Sequence, residues 1–467
     1  MDSPSNPLFS PSPSLSIVAS PPSQQSWPHG TSRRRSRVTE ACSRCLDADQ
    51  TCSYTTPPIK WVGGSATRGH LAGKPAFSLG LVLNGPPGTK PLESGELRLY
   101  FSNVVLSRFQ LIDESINWDL DHVLQNESLF QAIIAVSQAH YARHSKVDVY
   151  NVAIVRKNAR HTAIEGFRRS LEKSVQSESS AQQLFAINVL FCMLDGMIEP
   201  SEEYNASTCH LRGGWAILRR WPNTPTRMLL QDGLQAHLLS IYATVDLVHA
   251  LLSGDKPFFQ PTIWRMFAGV QTWFGRLQAG DKFLEILAAF SEMAALGNIV
   301  HTNLPLDSVH LIERCLGPIE AVFASGKDKS GDSDGAYSPA SASWDTFCSI
   351  YELCSLIYLQ RALRLRPADD EIIQAAARRG VQKLIDHNLP TIMRHCAIFP
   401  MLVIGSHCTL APDRQAILQA LSPSISYLSF GNMQLMTNFL KATWSREEAH
   451  ETWWDSFASV SEKAFLF

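Results

Sequence analysis

From about residue 95 the apolar residues recur three and four positions apart, the spacing that puts them on one side of a helix. Leu129, Ala132, Ile133, Val136, Ala139 and His140 mark one such buried face, and Ser128 with Gln131 offers a reciprocal cap at its start. The same period predicts helices over roughly 155–173, 181–194, 206–220, 229–250, 261–276, 281–298, 307–325, 344–364, 371–387, 391–410, 413–421 and 431–444. Breaks at Pro222, Pro225, Gly254, Pro257, Pro305, Pro339, Pro367 and Pro423 separate several of them. Two-residue alternation is scarce, so the pattern predicts an all-α, multi-helix body over 95–467. No internal period is evident, although the succession of helices admits a solenoid-like stack.

Elsewhere the pattern fails. Residues 1–32 are rich in Ser and Pro with isolated apolar positions, which predicts a disordered arm. Residues 33–56 hold a basic run and a cysteine segment, and 57–94 are broken by Pro and Gly too often for a regular element, so they read as a linker. Residues 326–343, GKDKSGDSDGAYSPASAS, are polar and aperiodic and predict a mobile surface loop between two halves of the body.

Composition narrows the class. The chain of 467 residues is 45 % hydrophobic, as in folded globular proteins, and its formal net charge of −2 offers no global field for a polyanion. Any nucleic-acid contact therefore falls to a small local module. The opening MDSPSNPLFSPSPS has neither the basic start nor the apolar core of a secretory signal. No run is read as approaching the ~20 apolar residues that span a bilayer. An intracellular, aqueous protein without a membrane partner is expected. Of ten cysteines, the seven at Cys192, Cys209, Cys315, Cys348, Cys354, Cys396 and Cys408 then read as small buried hydrophobes.

The other three, Cys42, Cys45 and Cys52, are spaced C-x2-C-x6-C. Two thiolates two residues apart can turn onto one tetrahedral ion and a third can reach it, which points to structural zinc. Three thiolates leave that ion one ligand short, and His29 and His70 are the nearest histidines.

The segment ACSRCLDADQTCSY resembles the second half of the binuclear zinc cluster of fungal transcription factors, with Ser43, Arg44 and Leu46 filling its C-S-R-C-L pattern. The resemblance makes Cys42, Cys45 and Cys52 the fourth to sixth of six zinc ligands. Ile59, Lys60 and Trp61, with VGGSATRGHLAGK after them, are similar to the linker that follows the cluster. The stretches SLFQAIIAVSQAHY, CHLRGGWAILRR, CSLIYLQRALRL and IFPMLVIGSHCTLAPDRQAI resemble the helical fungal-specific transcription factor domain.

The first half-cluster, which carries the base-reading lysine and arginine in that family, is not in this sequence. Asp47 and Asp49 in the loop between Cys45 and Cys52 repel phosphate, so this half alone is not expected to read bases. Arg33, Arg34, Arg35, Arg37 and Arg44 remain for unspecific phosphate contact or nuclear import. The resemblance implies a nuclear regulator of RNA polymerase II transcription, controlling a metabolic or secondary-metabolite gene set. Its implied partners are DNA if the cluster is completed upstream, a homo- or hetero-dimer mate, coregulators and a small-molecule effector. The alternative is a regulatory interaction protein without autonomous DNA binding, acting through an intact partner; an enzyme with a pocket among the helices is the remote one.

Catalytic signals are weak. NGPPGTK at 84–90 lacks the G-x-x-x-x-G-K-[ST] order of a phosphate loop, and there is no H-E-x-x-H or G-x-S-x-G. His395–Cys396 and His407–Cys408 sit in apolar surroundings and read as core pairs. Asp369 and Asp370 read as a solvated helix start. Gly213 and Gly214 in the middle of a helix predict a close helix approach, with Trp215 beside it. The chain is read as not an enzyme.

Overall fold

In the computed structural model, which describes residues 93–111, 118, 120, 125–145, 150–173, 178–200, 206–303, 339–387, 389–446 and 452–466, the helical period is realised almost throughout. These residues belong to one unit, Val82–Phe467. Helix α1 (Ser94–Tyr100) opens on a capping box between Glu93 and Glu96 and runs on through a π turn, Phe101–Val105. Then come α2 (Glu127–His144), α3 (Tyr150–Lys173), α4 (Glu178–Met193) with a π turn at Leu194–Ile198, α5 (Ala206–Arg220), α6 (Thr224–Gln231) and α7 (Gly233–Ser253). The short α8 (Thr262–Met266) leads to α9 (Lys282–Asn303). The second half holds α10 (Pro339–Tyr358) with a π turn at Leu359–Leu363, α11 (Glu371–Leu384), α12 (Thr391–His395), α13 (Ile398–Ser406), α14 (Ala411–Leu428), α15 (Asn432–Ser445) and α16 (Trp453–Ser461). Among the described residues the only β feature is an isolated bridge between Thr272 and Gly275.

One hydrophobic cluster reaches from Phe101 to Leu466. It closes end to end: α16 packs on α7, where the buried Trp453 indole donates to Leu251 O at 2.8 Å. His140 in α2 bonds Leu428 O at the end of α14 at 2.8 Å. Phe465 N donates to Gly196 O at 2.8 Å. A solenoid, in which each unit touches only its neighbours, is excluded by these contacts.

Several expectations are corrected. Ser180–Ile198, Gly233–Ser253 and Lys282–Thr302 are long and apolar enough to cross a membrane, contrary to the sequence reading. Of their most apolar stretches 94 %, 94 % and 72 % is buried, packed against neighbouring helices. The cap of α2 is Asn126, whose Oδ1 accepts from Leu129 N at 2.9 Å; Ser128 instead donates to Gly166 O of α3 at 3.0 Å. Residues 261–276 form only the short α8. The turns beyond it need the positive φ of Gly269 and Gly275, and its N–H groups are taken by side chains: Asp232 Oδ1 accepts from Gln271 N at 2.8 Å and Ser240 Oγ from Trp273 N at 3.2 Å. Pro423 lies inside α14 rather than at a break, held there by the buried face of Ile417, Ala420, Leu421 and Leu428. The expected helix 391–410 is two, α12 and α13, and 339–343 of the expected loop already belong to α10. Cys209 is exposed; Cys192, Cys348, Cys354, Cys396 and Cys408 are buried, and Cys315 lies outside the described residues, as do 307–325 and 326–338.

Candidate functional site

Cys42, Cys45, Cys52, Arg33, Arg34, Arg35, Arg37 and Arg44 lie outside the described residues, as do the arm 1–32 and residues 57–92 of the linker. Among the described residues no group of three or more His, Cys, Asp or Glu side chains is placed to hold a metal ion.

The two His–Cys pairs are core. His395 Nδ1 is 2.8 Å from Ser424 Oγ and its ring stacks on Tyr427 at 4.3 Å, while Cys396 Sγ donates to Gln110 O at 3.4 Å. Burial pushes His395 down to about 4 and Cys396 far up, the opposite of an activated nucleophile.

His407 has a different neighbourhood, the wall of a cavity of about 260 Å³. The cavity begins with the π turn that ends α10, where the extra residue per turn buries Gln360 and Arg361 together. Arg361 is 9 % exposed and donates from Nη1 to Arg366 O at 2.7 Å, across a turn in which Leu365 takes φ 53°. Asp370 caps α11 by accepting from Ile372 N at 2.9 Å, as a helix start should. Gln374, one turn into α11, donates to Ala368 O and His407 O at 2.8 and 2.9 Å and accepts from Thr409 Oγ1 at 2.7 Å. That amide locks both turns that frame the cavity. His407 Nδ1 meets Val403 O at 2.8 Å, which requires the proton on Nδ1, and burial pushes the ring down to about 4, so it stays neutral.

Opposite stand aromatic side chains. Trp444 and Trp453 spend their indole N–H groups on Gly405 O and Leu251 O, each at 2.8 Å, leaving hydrocarbon toward their surroundings. Phe439 and Phe457 stack with their ring centroids 5.4 Å apart. Arg414 is anchored by Cys408 O at 2.8 Å and Trp444 O at 3.4 Å and lies 5.8 Å from the Trp444 ring. Exposed Arg446 also lines the cavity, and among the described residues Asp369 is the acid in its wall.

A smaller cavity of about 210 Å³ lies beside the Gly213–Gly214 approach, lined by Leu211, Arg212, Asp246, His249 and Asp255. A Cβ on Gly214 would come within 2.7 Å of Asn188 Oδ1 and of the Tyr242 ring, the close approach expected there, and Trp215 beside it stacks on Phe258 at 5.1 Å. Asp246 is buried and accepts from Phe258 N and Phe259 N at 2.8 and 3.3 Å; burial raises it from 3.8 to about 8, against those two hydrogen bonds. This carboxyl holds the 258–259 loop.

Sequence reading missed Arg361, Gln374, Arg414 and the Trp444–Trp453 pair. Nothing in their spacing joins them, because five elements bring them together. Helix α16, which the helical period did not predict, is capped by Thr452: Asp455 N donates to Thr452 Oγ1 at 3.3 Å.

The model of the fungal specific transcription factor domain family matches residues 97–467. No curated protein matches the chain. No solved structure matches it.

Proposed function

Because the chain belongs to the fungal-specific transcription factor domain family, a regulatory and non-catalytic one, we propose that it is a regulatory interaction protein of transcription that is brought to promoters through a partner rather than by reading DNA itself. The observation that carries this is the span of the match: it takes in the whole helical body and begins after the cysteine segment. Cys42, Cys45 and Cys52 are one donor short of a tetrahedral zinc site, and Asp47 and Asp49 between the last two oppose phosphate. In this reading Arg33, Arg34, Arg35, Arg37 and Arg44 serve nuclear import or unspecific phosphate contact, the site of action is the nucleus, and the mate is a second copy or an intact zinc-cluster regulator. In the same reading the helical body regulates or dimerises, and polar tail segments contact coregulators.

The test has two arms, both on the full chain. Fused to an unrelated sequence-specific DNA-binding domain, it is expected to change transcription of a reporter carrying that domain's site; no change would sink the regulatory role. Incubated alone with zinc and a random DNA pool, it is expected to enrich no sequence. Selective enrichment of a CGG-type triplet would overturn the partner-borne reading in favour of direct binding.

A further inference from the structure

We propose that the cavity between α5, α7 and the 254–258 turn is a binding site for a small aliphatic α-amino acid, its ammonium on Asp246 and its carboxylate on Arg212. The inference rests on this cavity alone, so its failure leaves the transcriptional reading untouched.

The inner end selects the ammonium. Asp246 lies 3 % exposed in the cavity wall, and Phe258 N and Phe259 N both donate to its Oδ2. Oδ1 is the oxygen left to a ligand. Burial keeps this carboxyl largely protonated at neutral pH, and an ammonium at Oδ1 supplies the counter-charge under which it ionises. His249, one helical turn on in the same wall, turns Nε2 to Asp255 Oδ2 at 3.6 Å. Its buried Nδ1 has no hydrogen-bond partner among the described residues. With the ring proton on Nε2 that nitrogen is an acceptor beside Asp246, and an ammonium carries donors for both.

The mouth selects the carboxylate. Arg212, 69 % exposed, comes within 3.9 Å of Asp255, beyond hydrogen-bond length, so its planar fork of donors stays available to a carboxylate. Exposed Lys256 stands in the same wall. Between the two ends Leu211, Ala250 and Phe258 supply apolar surface for a side chain. About 210 Å³ is the room of roughly seven waters at ~30 Å³ each and falls below the ~300 Å³ of drug-sized sites. It suits a small aliphatic side chain and is short of an indole. The frame is set in advance: Gly254, at φ 77°, ends α7 and turns the chain back, the Tyr242 hydroxyl donates to Leu211 O, and Phe258 stacks on Trp215.

The experiment is calorimetric titration of the full chain with L-valine, with isovalerate and isobutylamine, which lack its ammonium and its carboxylate, and with L-tryptophan. L-valine is expected to bind saturably at one site and each of the other three about tenfold or more weaker, the loss of a charge-assisted hydrogen bond or of fit. Arg212→Gln should weaken L-valine about tenfold at an unchanged melting temperature, because its exposed pair with Asp255 adds little to stability. Asp246→Asn keeps an acceptor for the loop and should weaken L-valine at least tenfold; if that variant unfolds, Arg212→Gln carries the test. Equal binding of isovalerate, isobutylamine or L-tryptophan, an unchanged affinity in Arg212→Gln, or no saturable heat from L-valine up to about 10 mM would each overturn the proposal.

Discussion

At the scale of single residues the buried polar groups decide most. Asp246 sits in the apolar α7 and accepts two N–H groups from the 258–259 loop. Its folded pKa, about 8, lies above its ordinary 3.8, so the folded state binds more protons than the unfolded one across that interval and stability falls as pH rises through it. Below 3.8 both states are protonated and the advantage is fully present. Asp246→Asn keeps an acceptor for the loop and removes the titration; its melting temperature is expected to fall less between pH 5 and pH 8 than that of the parent. Gly214 offers a contrasting case. Alanine would improve helix propensity by about 1 kcal/mol. Its methyl would sit 2.7 Å from Asn188 Oδ1 and the Tyr242 ring, whose hydroxyl donates to Leu211 O. Overpacking should win, with Gly214→Ala losing about 1–3 kcal/mol in urea unfolding. Gly213→Ala, whose nearest contact is Asn188 Nδ2 at 3.1 Å, should lose less.

At the scale of elements, ends and irregular turns carry the information. Asn126 caps α2 and also donates to Gln183 Oε1 at 2.6 Å, which ties that cap to α4. Asn126→Ala is expected to cost about 1 kcal/mol by urea unfolding, whereas Gln131→Ala should be near neutral, since Gln131 only bonds exposed Glu127 at 2.6 Å. The π turn at Leu194–Ile198 buries Asp195, where it accepts from Arg160 and His210 at 2.9 Å each and so ties α3 to α5. The π turn after α10 does the corresponding work for Arg361 at the cavity. Neither π turn has a sequence signature, because the extra residue is set by what the bulged side chains meet.

At the scale of the whole molecule α16 and the residues after it close the core: Phe465 packs over Gly196, and Asn432 donates to Phe465 O at 2.6 Å. Phe465→Ala, at a residue 2 % exposed, should cost about 3–5 kcal/mol by urea unfolding and lower the melting temperature. A surface-like response would show that α16 and the tail are not part of the cooperative unit. Helical period, the Gly–Gly approach and the buried His–Cys pairs were set by the sequence itself, since each depends on neighbours within a turn or two and on a strong apolar bias. The failed helix at 261–276, the burial of three helices with membrane-like composition, and the meeting of Arg361, Gln374, Arg414, Trp444 and Trp453 around one cavity were decided only by tertiary structure. The reason is the same in each: hydrogen bonds and apolar faces are satisfied by partners tens to hundreds of residues away, and local pattern carries no record of which partner that will be.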